Sequence, residues 1–123
     1  MTEDQLQAAL WKWAWNAYPQ YRKHMWAVTN SGIANPNRAK AMGLLSGVWD
    51  LHVFYRNSYH IIETKVGINQ LTTDRVVNGK KVYGQKEWGE LMAEHGATRH
   101  IYRSLEEGKQ VYESIFGNLT PPV

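Results

Sequence analysis

The chain contains no cysteine, and this absence narrows the kinds of site that it can hold. Disulfides, cysteine-ligated zinc sites and iron–sulfur clusters are all excluded. Long apolar runs are missing as well, so we expect no membrane-spanning segment. The first residues, Met1-Thr2-Glu3-Asp4, lack the features of a signal peptide. These absences predict a cytoplasmic protein with no membrane partner.

Acidic residues are missing between Gln5 and Trp49, whereas basic residues recur there and again further along. The net charge is only +3, so the distribution of charge is more informative than its total. Positive charge separated from the later acidic residues favours a polyanionic partner such as nucleic acid. The alternative is that these side chains are merely solvated. The residues that we expect to contact DNA are Lys40, Arg75, Lys80, Lys81 and Lys86.

A length of 123 residues suits one core, so we expect a single domain over residues 1–123 with a loose tail at 118–123. The patterns predict helices at 3–18, 38–45, 85–95 and 104–117, and strands at 25–29, 48–55, 59–65 and 98–103. Thr2 with Gln5 and Ser104 with Glu107 predict capping boxes at two helix starts, and Pro19 is expected to end the first helix. Asn78-Gly79 predicts an extra β-hairpin at about residues 74–84. The expected fold class is therefore α/β, a mixed sheet flanked by helices.

The first helix carries more apolar surface than one core can cover. Its core stripe is expected to be Leu6, Leu10, Trp13 and Ala17. A second apolar face, nearly opposite, consists of Trp11, Trp15 and Tyr18. Large exposed aromatic residues often anchor interfaces, so this face predicts a homodimer. The alternative is that the C-terminal helix covers the same face within one chain.

Asp50 and the sequence Glu63-Thr64-Lys65 form the most informative pattern in the chain. They lie in two apolar, β-prone runs joined by a turn at residues 56–58. If the loop has two or four residues, Asp50, Glu63 and Lys65 share one face of the hairpin. Two carboxylates in an apolar sheet need a counter-ion, and a divalent cation would supply one. The alternative is a solvated strand face with an ion pair, because short motifs often arise by chance.

In the order of its motifs, the chain resembles the virus-type replication-repair nuclease (VRR-NUC) family of the PD-(D/E)XK superfamily. The matching segments are Glu3 with Gln7, Asn30-Ser31-Gly32, the run from Gly43 to Leu51, Glu63-Thr64-Lys65, and Gln85-Lys86-Glu87-Trp88. The resemblance covers nearly the whole chain. It departs from the family at Trp49, where proline is usual, and in a longer segment between Lys65 and Gln85.

This resemblance implies a restriction-endonuclease-like fold and a Mg²⁺- or Mn²⁺-dependent endonuclease. The expected substrate is branched DNA such as a Holliday junction, cut by a homodimeric phage protein in a bacterial host cell. Asp50 and Glu63, with the Thr64 carbonyl, are the expected metal ligands, because hard divalent cations prefer oxygen donors. Two other possibilities stay open: a non-catalytic DNA-binding or structural protein of the same fold, and a nuclease with a different nucleic-acid substrate.

The remaining predicted catalytic residues have supporting roles. Lys65 would orient or deprotonate the attacking water, or offset negative charge that builds up on the phosphate. Glu3 would complete the acidic site, although an acid in the first turn of a helix is also favoured by the helix dipole. Gln85 would hold Lys65 or the water through a hydrogen bond, unless it is an ordinary surface glutamine.

Overall fold

The computed structural model describes residues 1–28 and 36–118 of the chain. Its helices in these ranges are α1 Glu3–Ala17, α2 Pro36–Ala41, α3 Gln85–Glu94 and α4 Leu105–Phe116. The strands are β1 Met25–Ala27, β2 Leu51–Tyr55, β3 Ser58–Thr64, β4 Arg75–Val77, β5 Lys80–Val82 and β6 Thr98–Tyr102. The predicted features at residues 29–32 and 119–123 lie outside the described residues.

The main sheet has four strands in the order β1-β2-β3-β6, and it is mixed because β3 and β6 run parallel while the other pairs are antiparallel. One face packs against α1 and α4 and forms the apolar core. On the other face, α3 brings the Trp88 ring to 6.0 Å from the His52 ring. The predicted α/β class, a mixed sheet flanked by helices, is confirmed. The buried core on the α1 and α4 side consists of Leu6, Leu10, Ala14, Tyr18, Met25, Leu51, Val53, Ile62, Tyr102 and Tyr112.

Both hairpins have tight turns whose residues adopt positive φ. Arg56 and Asn57, at φ 48° and 61°, form a two-residue loop that pairs Tyr55 with Ser58. Asn78 and Gly79, at φ 52° and 75°, do the same between β4 and β5. Two successive positive φ angles match the twist of antiparallel strands, which is why these loops are short. The first of them satisfies the loop-length condition on which the predicted site depends.

Capping interactions fix where two of the helices begin. The Thr2 hydroxyl accepts a hydrogen bond from the Gln5 amide at 3.1 Å, and the Thr2 amide donates to the Gln5 side chain at 2.9 Å. This reciprocal pair is the predicted capping box. In α4 the Ser104 hydroxyl accepts from the Glu107 amide. The Glu107 carboxylate, however, accepts from the amide of Arg103, one residue before the expected donor.

Two segments differ from the prediction. The helix expected at 38–45 begins at Pro36 and ends at Ala41, because the chain turns at Gly43, whose φ of 81° is not helical. A 3₁₀ helix that was not predicted spans Pro19–His24 and joins α1 to β1. Its first residue is the proline that was expected only to end α1; proline is well suited to a first helical position.

Of the four α1 residues predicted to face the core, Leu6 and Leu10 are buried, and Trp13 and Ala17 are partly buried and pack against the same core. The buried residues on this side are Leu6, Leu10, Ala14 and Tyr18, a ridge of every fourth residue. Trp13 is only partly buried, with its ring 5.8 Å from Tyr18 in an edge-to-face contact.

Tyr18 is not an interface residue, because it is only 2% exposed within one chain. Its hydroxyl donates to the Gly117 carbonyl at 3.0 Å, and its ring lies 5.1 Å from Phe116 of α4. The C-terminal helix therefore covers this part of the predicted interface. Trp15 is 40% exposed, with the Arg22 guanidinium 4.6 Å from its ring, and Trp11 is partly buried.

Within residues 1–28 and 36–118, no helix combines the length and the apolar character needed to span a membrane.

Candidate active site

The register of the β2–β3 hairpin places Asp50 and Glu63 opposite each other. Leu51 pairs with Ile62, and the next pair along the hairpin joins the two acidic residues. The Asp50 amide donates to Glu63 Oε1 at 3.2 Å, and the Thr64 amide donates to Asp50 Oδ2 at 3.3 Å. Each carboxylate is thus held by a backbone amide of the other strand.

Lys65 and Glu3 complete the cluster of charges, which we call the carboxylate cluster: Glu3, Asp50, Glu63 and Lys65. The Lys65 Nζ atom lies 3.6 Å from Glu63 Oε2 and 3.9 Å from Glu3 Oε1. Glu3 reaches it from the first turn of α1. Glu63 is 1% exposed and Lys65 only 6%. The alternative of a solvated strand face therefore does not describe these two residues.

Burial and proximity perturb the two carboxyl groups in the same direction. Loss of solvent and the neighbouring Asp50 charge raise the pKa of Glu63 to about 8. Burial also raises the pKa of Asp50, although its hydrogen bonds partly oppose the shift. Two adjacent buried carboxylates repel each other, so the pair retains a proton near neutral pH unless a cation offsets its charge.

The Thr64 side chain faces away from the carboxylate cluster. Its hydroxyl donates to the Tyr102 hydroxyl at 2.6 Å, in the core formed with α1 and α4. Alternation along β3 puts Thr64 and Glu63 on opposite faces of the sheet. Thr64 can therefore serve the cluster only through its backbone, as its predicted role requires.

Gln85, the first residue of α3, donates from Nε2 to Glu63 Oε2. Its partner is a carboxylate, whereas the sequence led us to expect Lys65 or a water molecule. The other end of the amide, Oε1, accepts from the Thr72 amide at 3.2 Å. Because both ends of the amide are engaged, the orientation of Gln85 toward Glu63 is fixed.

A loop segment before the hairpin caps α3, a contact that no local pattern in the sequence indicates. The N-cap residue is Gly84, which has no side chain to offer. Instead, Asp74 Oδ1 accepts from the Gly84 amide at 2.7 Å, and Thr72 Oγ1 accepts from the Gln85 amide at 3.1 Å. These caps come from 10 and 13 residues away, whereas the familiar capping motifs are local in sequence.

Trp49 fastens α3 to the strand that carries Asp50. It is 1% exposed, and its indole Nε1 donates to the Gln85 carbonyl at 2.8 Å. Its ring lies over Gly89, where an added Cβ atom would come within 2.5 Å of the ring. Trp49 thus positions the backbone of Gln85 at the beginning of α3. The sequence features that could have indicated this contact are the tryptophan immediately before Asp50 and the glycine inside α3.

The close approach of two backbone segments explains why residue 47 is also a glycine. Gly47 has φ 85°, and a Cβ atom there would lie 2.8 Å from the Gly84 carbonyl oxygen. Gly47 and Trp49 therefore pack directly against the beginning of α3.

The predicted DNA-contacting residues lie on three different elements. Lys40 is exposed on α2, and Lys86 on α3 forms an ion pair with Glu90 at 3.2 Å. In the β4–β5 hairpin, the pairing puts Arg75 and Lys80 on one face and Lys81 on the other. Lys81 lies 3.8 Å from Asp74. The structure thus exposes all five side chains, which are distributed over α2, α3 and the β4–β5 hairpin.

Histidine takes no part in the carboxylate cluster. Among the residues that the structure describes, no three histidine, aspartate or glutamate side chains form a group able to hold a metal ion. The predicted ligand set differs in kind, because it consists of two carboxylates and a backbone carbonyl. His60 and His100 stack on each other on the face of the sheet opposite the carboxylate cluster. Burial and the neighbouring His60 lower the pKa of His100 to about 4.

Comparison with protein-family models, with curated proteins and with solved structures gives no match to this chain.

The pKa of Glu63 predicts how stability depends on pH when divalent cations are chelated. Because the folded-state pKa is raised from 4.5 to about 8, its stabilising contribution is full below pH 4.5 and is lost as pH rises to 8. Between pH 7 and 8.5 we expect the free energy of unfolding, measured by urea denaturation in EDTA, to fall. One proton limits the slope to about 1.4 kcal/mol per pH unit.

Glu63→Gln should flatten this dependence, because glutamine cannot titrate. The exposed Glu106, with 81% of its side chain accessible, provides the control, and Glu106→Gln should keep the wild-type slope. An unchanged slope in Glu63→Gln would contradict the assignment. The histidine contributions interfere little in this range, because they change mainly below pH 6.5.

Proposed function

We propose that this protein is a metal-dependent endonuclease that hydrolyses phosphodiester bonds in branched DNA such as Holliday junctions. The proposal includes a restriction-endonuclease-like fold of the VRR-NUC type and action in the cytoplasm of a bacterial host cell. The observation that carries it is the convergence of a half-buried Asp50 with the buried Glu63 and Lys65, with Gln85 held against Glu63. Glu3, at the edge of the cluster, adds a further acid.

The donor set fits a hard divalent cation. Asp50 and Glu63 present carboxylate oxygens side by side, and burial raises the pKa of both, so a bound cation would stabilise their ionised forms. Asp50, Glu63 and the Thr64 carbonyl would hold Mg²⁺ or Mn²⁺, ions that prefer such oxygen ligands. When bound, the ion supplies a Lewis acid for a phosphate oxygen and lowers the pKa of a coordinated water.

The chain itself supplies the positioning. Lys65 is held between Glu63 and Glu3, so its ammonium group faces the place where a scissile phosphate would meet the two carboxylates. There it orients the attacking water and offsets negative charge on the phosphorane-like transition state. Gln85 fixes the Glu63 carboxylate, and Trp49 fixes Gln85. This chain of contacts holds the reacting groups in place before substrate binds.

A non-catalytic DNA-binding or structural protein is the second candidate. The buried charges argue against it, because keeping adjacent carboxylates inside a fold is costly unless they have a function. A third candidate is a nuclease acting on another nucleic acid. Incubation with Mg²⁺ and a panel of linear, flapped and four-way DNA, together with RNA of the same sequences, separates the three: no cleavage, cleavage of branched DNA, or cleavage of RNA.

Asp50→Asn and Lys65→Ala should each reduce cleavage of branched DNA by roughly a hundredfold or more. The reason is that each removes a charged group that acts on the transition state. DNA binding, measured separately by fluorescence anisotropy, should largely survive. Glu106→Gln is the control and should cut normally, since Glu106 lies on the exposed side of α4. Wild-type rates in either site variant would show that the cluster is not catalytic.

The β4–β5 hairpin is proposed to contact DNA phosphates through the face that carries Arg75 and Lys80. Each phosphate contact contributes about one unit to the slope of log K against log salt concentration. The double variant Arg75→Gln, Lys80→Gln should therefore flatten the slope by about two units.

The matched control for the hairpin is Lys81→Gln with Lys86→Gln. It removes the same total charge from side chains that already pair with Asp74 and Glu90. This control should change the slope less than the first double variant does. Equal slopes for the wild-type protein and both double variants would indicate that the hairpin is a structural or assembly element instead.

A homodimer remains part of the proposal, because resolving a four-way junction requires two symmetric cuts. The exposed Trp15, with the edge of Trp11, is the aromatic surface of α1 left to support it. Sedimentation at micromolar concentration should give about twice the chain mass of 14.2 kDa. Trp15→Ala should shift the equilibrium toward the monomer. A single species at the chain mass would rule out the paired-cut mechanism.

A further inference from the structure

A group of aromatic rings lies beside the carboxylate cluster and has no part in the function described so far. Trp26 of β1 pairs with His52 of β2, and the Val28 amide continues this register by donating to the Asp50 carbonyl at 2.9 Å. Paired residues share a face, and so do alternate residues on one strand. Trp26 is therefore a diagonal neighbour of Asp50 on the same face of the sheet.

The Trp26 ring is supported from the protein side. It stacks on His52 with 5.7 Å between centroids and 18° between planes, and it meets Tyr59 edge-on at 6.2 Å. The His52 ring is itself immobilised, because its two nitrogens bond to the Trp49 carbonyl and the Tyr59 hydroxyl. Trp26 is nevertheless 38% exposed. A large ring is thus held rigidly while more than a third of the residue faces solvent.

The spacing between Trp26 and the cluster suits a nucleic-acid strand. Diagonal neighbours in an antiparallel pair lie roughly 7–8 Å apart, and stacked nucleotides advance about 3.4 Å along a strand. A strand whose phosphate lies at Asp50 and Glu63 would therefore bring a base about two nucleotides away to Trp26. An aromatic ring stacks on a base only if that base is free of its duplex neighbour, and such stacking is largely independent of sequence.

We propose that Trp26 is a stacking platform for an unpaired base about two nucleotides from the scissile phosphate. This inference rests on the proposed nuclease function and specifies its substrate class: DNA with unpaired nucleotides next to the cut. Trp26 is a substrate-positioning residue, and the preference for branched DNA follows from it, because fully paired DNA offers no free base at this distance. His52 and Tyr59 act through Trp26 by fixing its ring.

The test measures binding of the full-length protein to DNA in EDTA, where cleavage is not expected. The probes are a flapped DNA with 2-aminopurine as the unpaired nucleotide at the branch point and a linear duplex of the same sequence. Stacking on an aromatic ring quenches 2-aminopurine fluorescence. Trp26→Ala removes the platform, Trp26→Phe keeps a smaller ring, and the control Phe54→Ala removes an exposed aromatic ring from β2, further from the carboxylate cluster.

We expect quenching with the wild-type protein, Trp26→Phe and Phe54→Ala, but not with Trp26→Ala. Affinity of Trp26→Ala for flapped DNA should fall by about tenfold, while its affinity for the linear duplex stays the same. Thermal unfolding establishes that the variants are folded. If Trp26→Ala is not folded, Trp26→Phe provides the test instead. The affinity of Trp26→Phe for flapped DNA should lie between the affinities of the wild-type protein for flapped DNA and for the linear duplex.

Two results would overturn the inference. One is wild-type quenching and affinity in Trp26→Ala; the other is an equal loss on flapped and linear DNA, which would indicate a general structural role. Neither result affects the nuclease proposal, which is tested by cleavage in Mg²⁺. Absence of both DNA binding and cleavage in the wild-type protein would instead refute the proposed function and this inference with it.

Discussion

The organisation of this molecule depends on how the adjacent carboxyl groups of Asp50 and Glu63 are satisfied where almost no solvent reaches Glu63. Four groups are oriented toward the pair: two backbone amides, the Lys65 ammonium group and the Gln85 side-chain NH₂ group. These donors offset part of the repulsion, yet the pKa of Glu63 stays near 8. The remaining deficit in positive charge is the property that a divalent cation would meet.

The position of α3 follows from the same requirement. Its first residue must reach Glu63, so the beginning of the helix has to approach the sheet closely. Gly47 and Gly89 make that approach possible, because a side chain at either position would collide with the neighbouring segment. Trp49 then fills the space between strand and helix and bonds to the Gln85 carbonyl. The close packing at Gly47, Gly89 and the Trp49 ring thus determines the geometry of the polar site, which includes Asp50, the next residue along the chain.

The sequence was sufficient for features that depend on local chemistry. Alternation and two turn-forming segments located both hairpins, and the Thr2 capping box located the start of α1. The relation between Asp50 and Glu63 followed from the period of a strand once the loop length was assumed. These predictions hold because neighbouring residues decide them.

Contacts between distant segments were not accessible in this way. The cap of α3 comes from Thr72 and Asp74, and the cover of Tyr18 comes from the end of α4. Helical periodicity identified two apolar faces of α1, but it did not show which residue of each face would meet α4. The partner of Gln85 was missed for the same reason, since a glutamine can bond to either charge of an ion pair.

The β4–β5 hairpin is attached to the fold only at its base. Its strand residues form a separate two-stranded sheet and are mostly exposed. At the base, the Asp74 carboxylate accepts a hydrogen bond from the Gly84 amide. This bond holds the two ends of the hairpin segment together independently of the pairing between β4 and β5. The entropy cost of closing such a loop is small, and this cost increases only slowly with the number of residues in the loop. The hairpin segment can therefore be lengthened, shortened or replaced while the main sheet and the carboxylate cluster keep their shape.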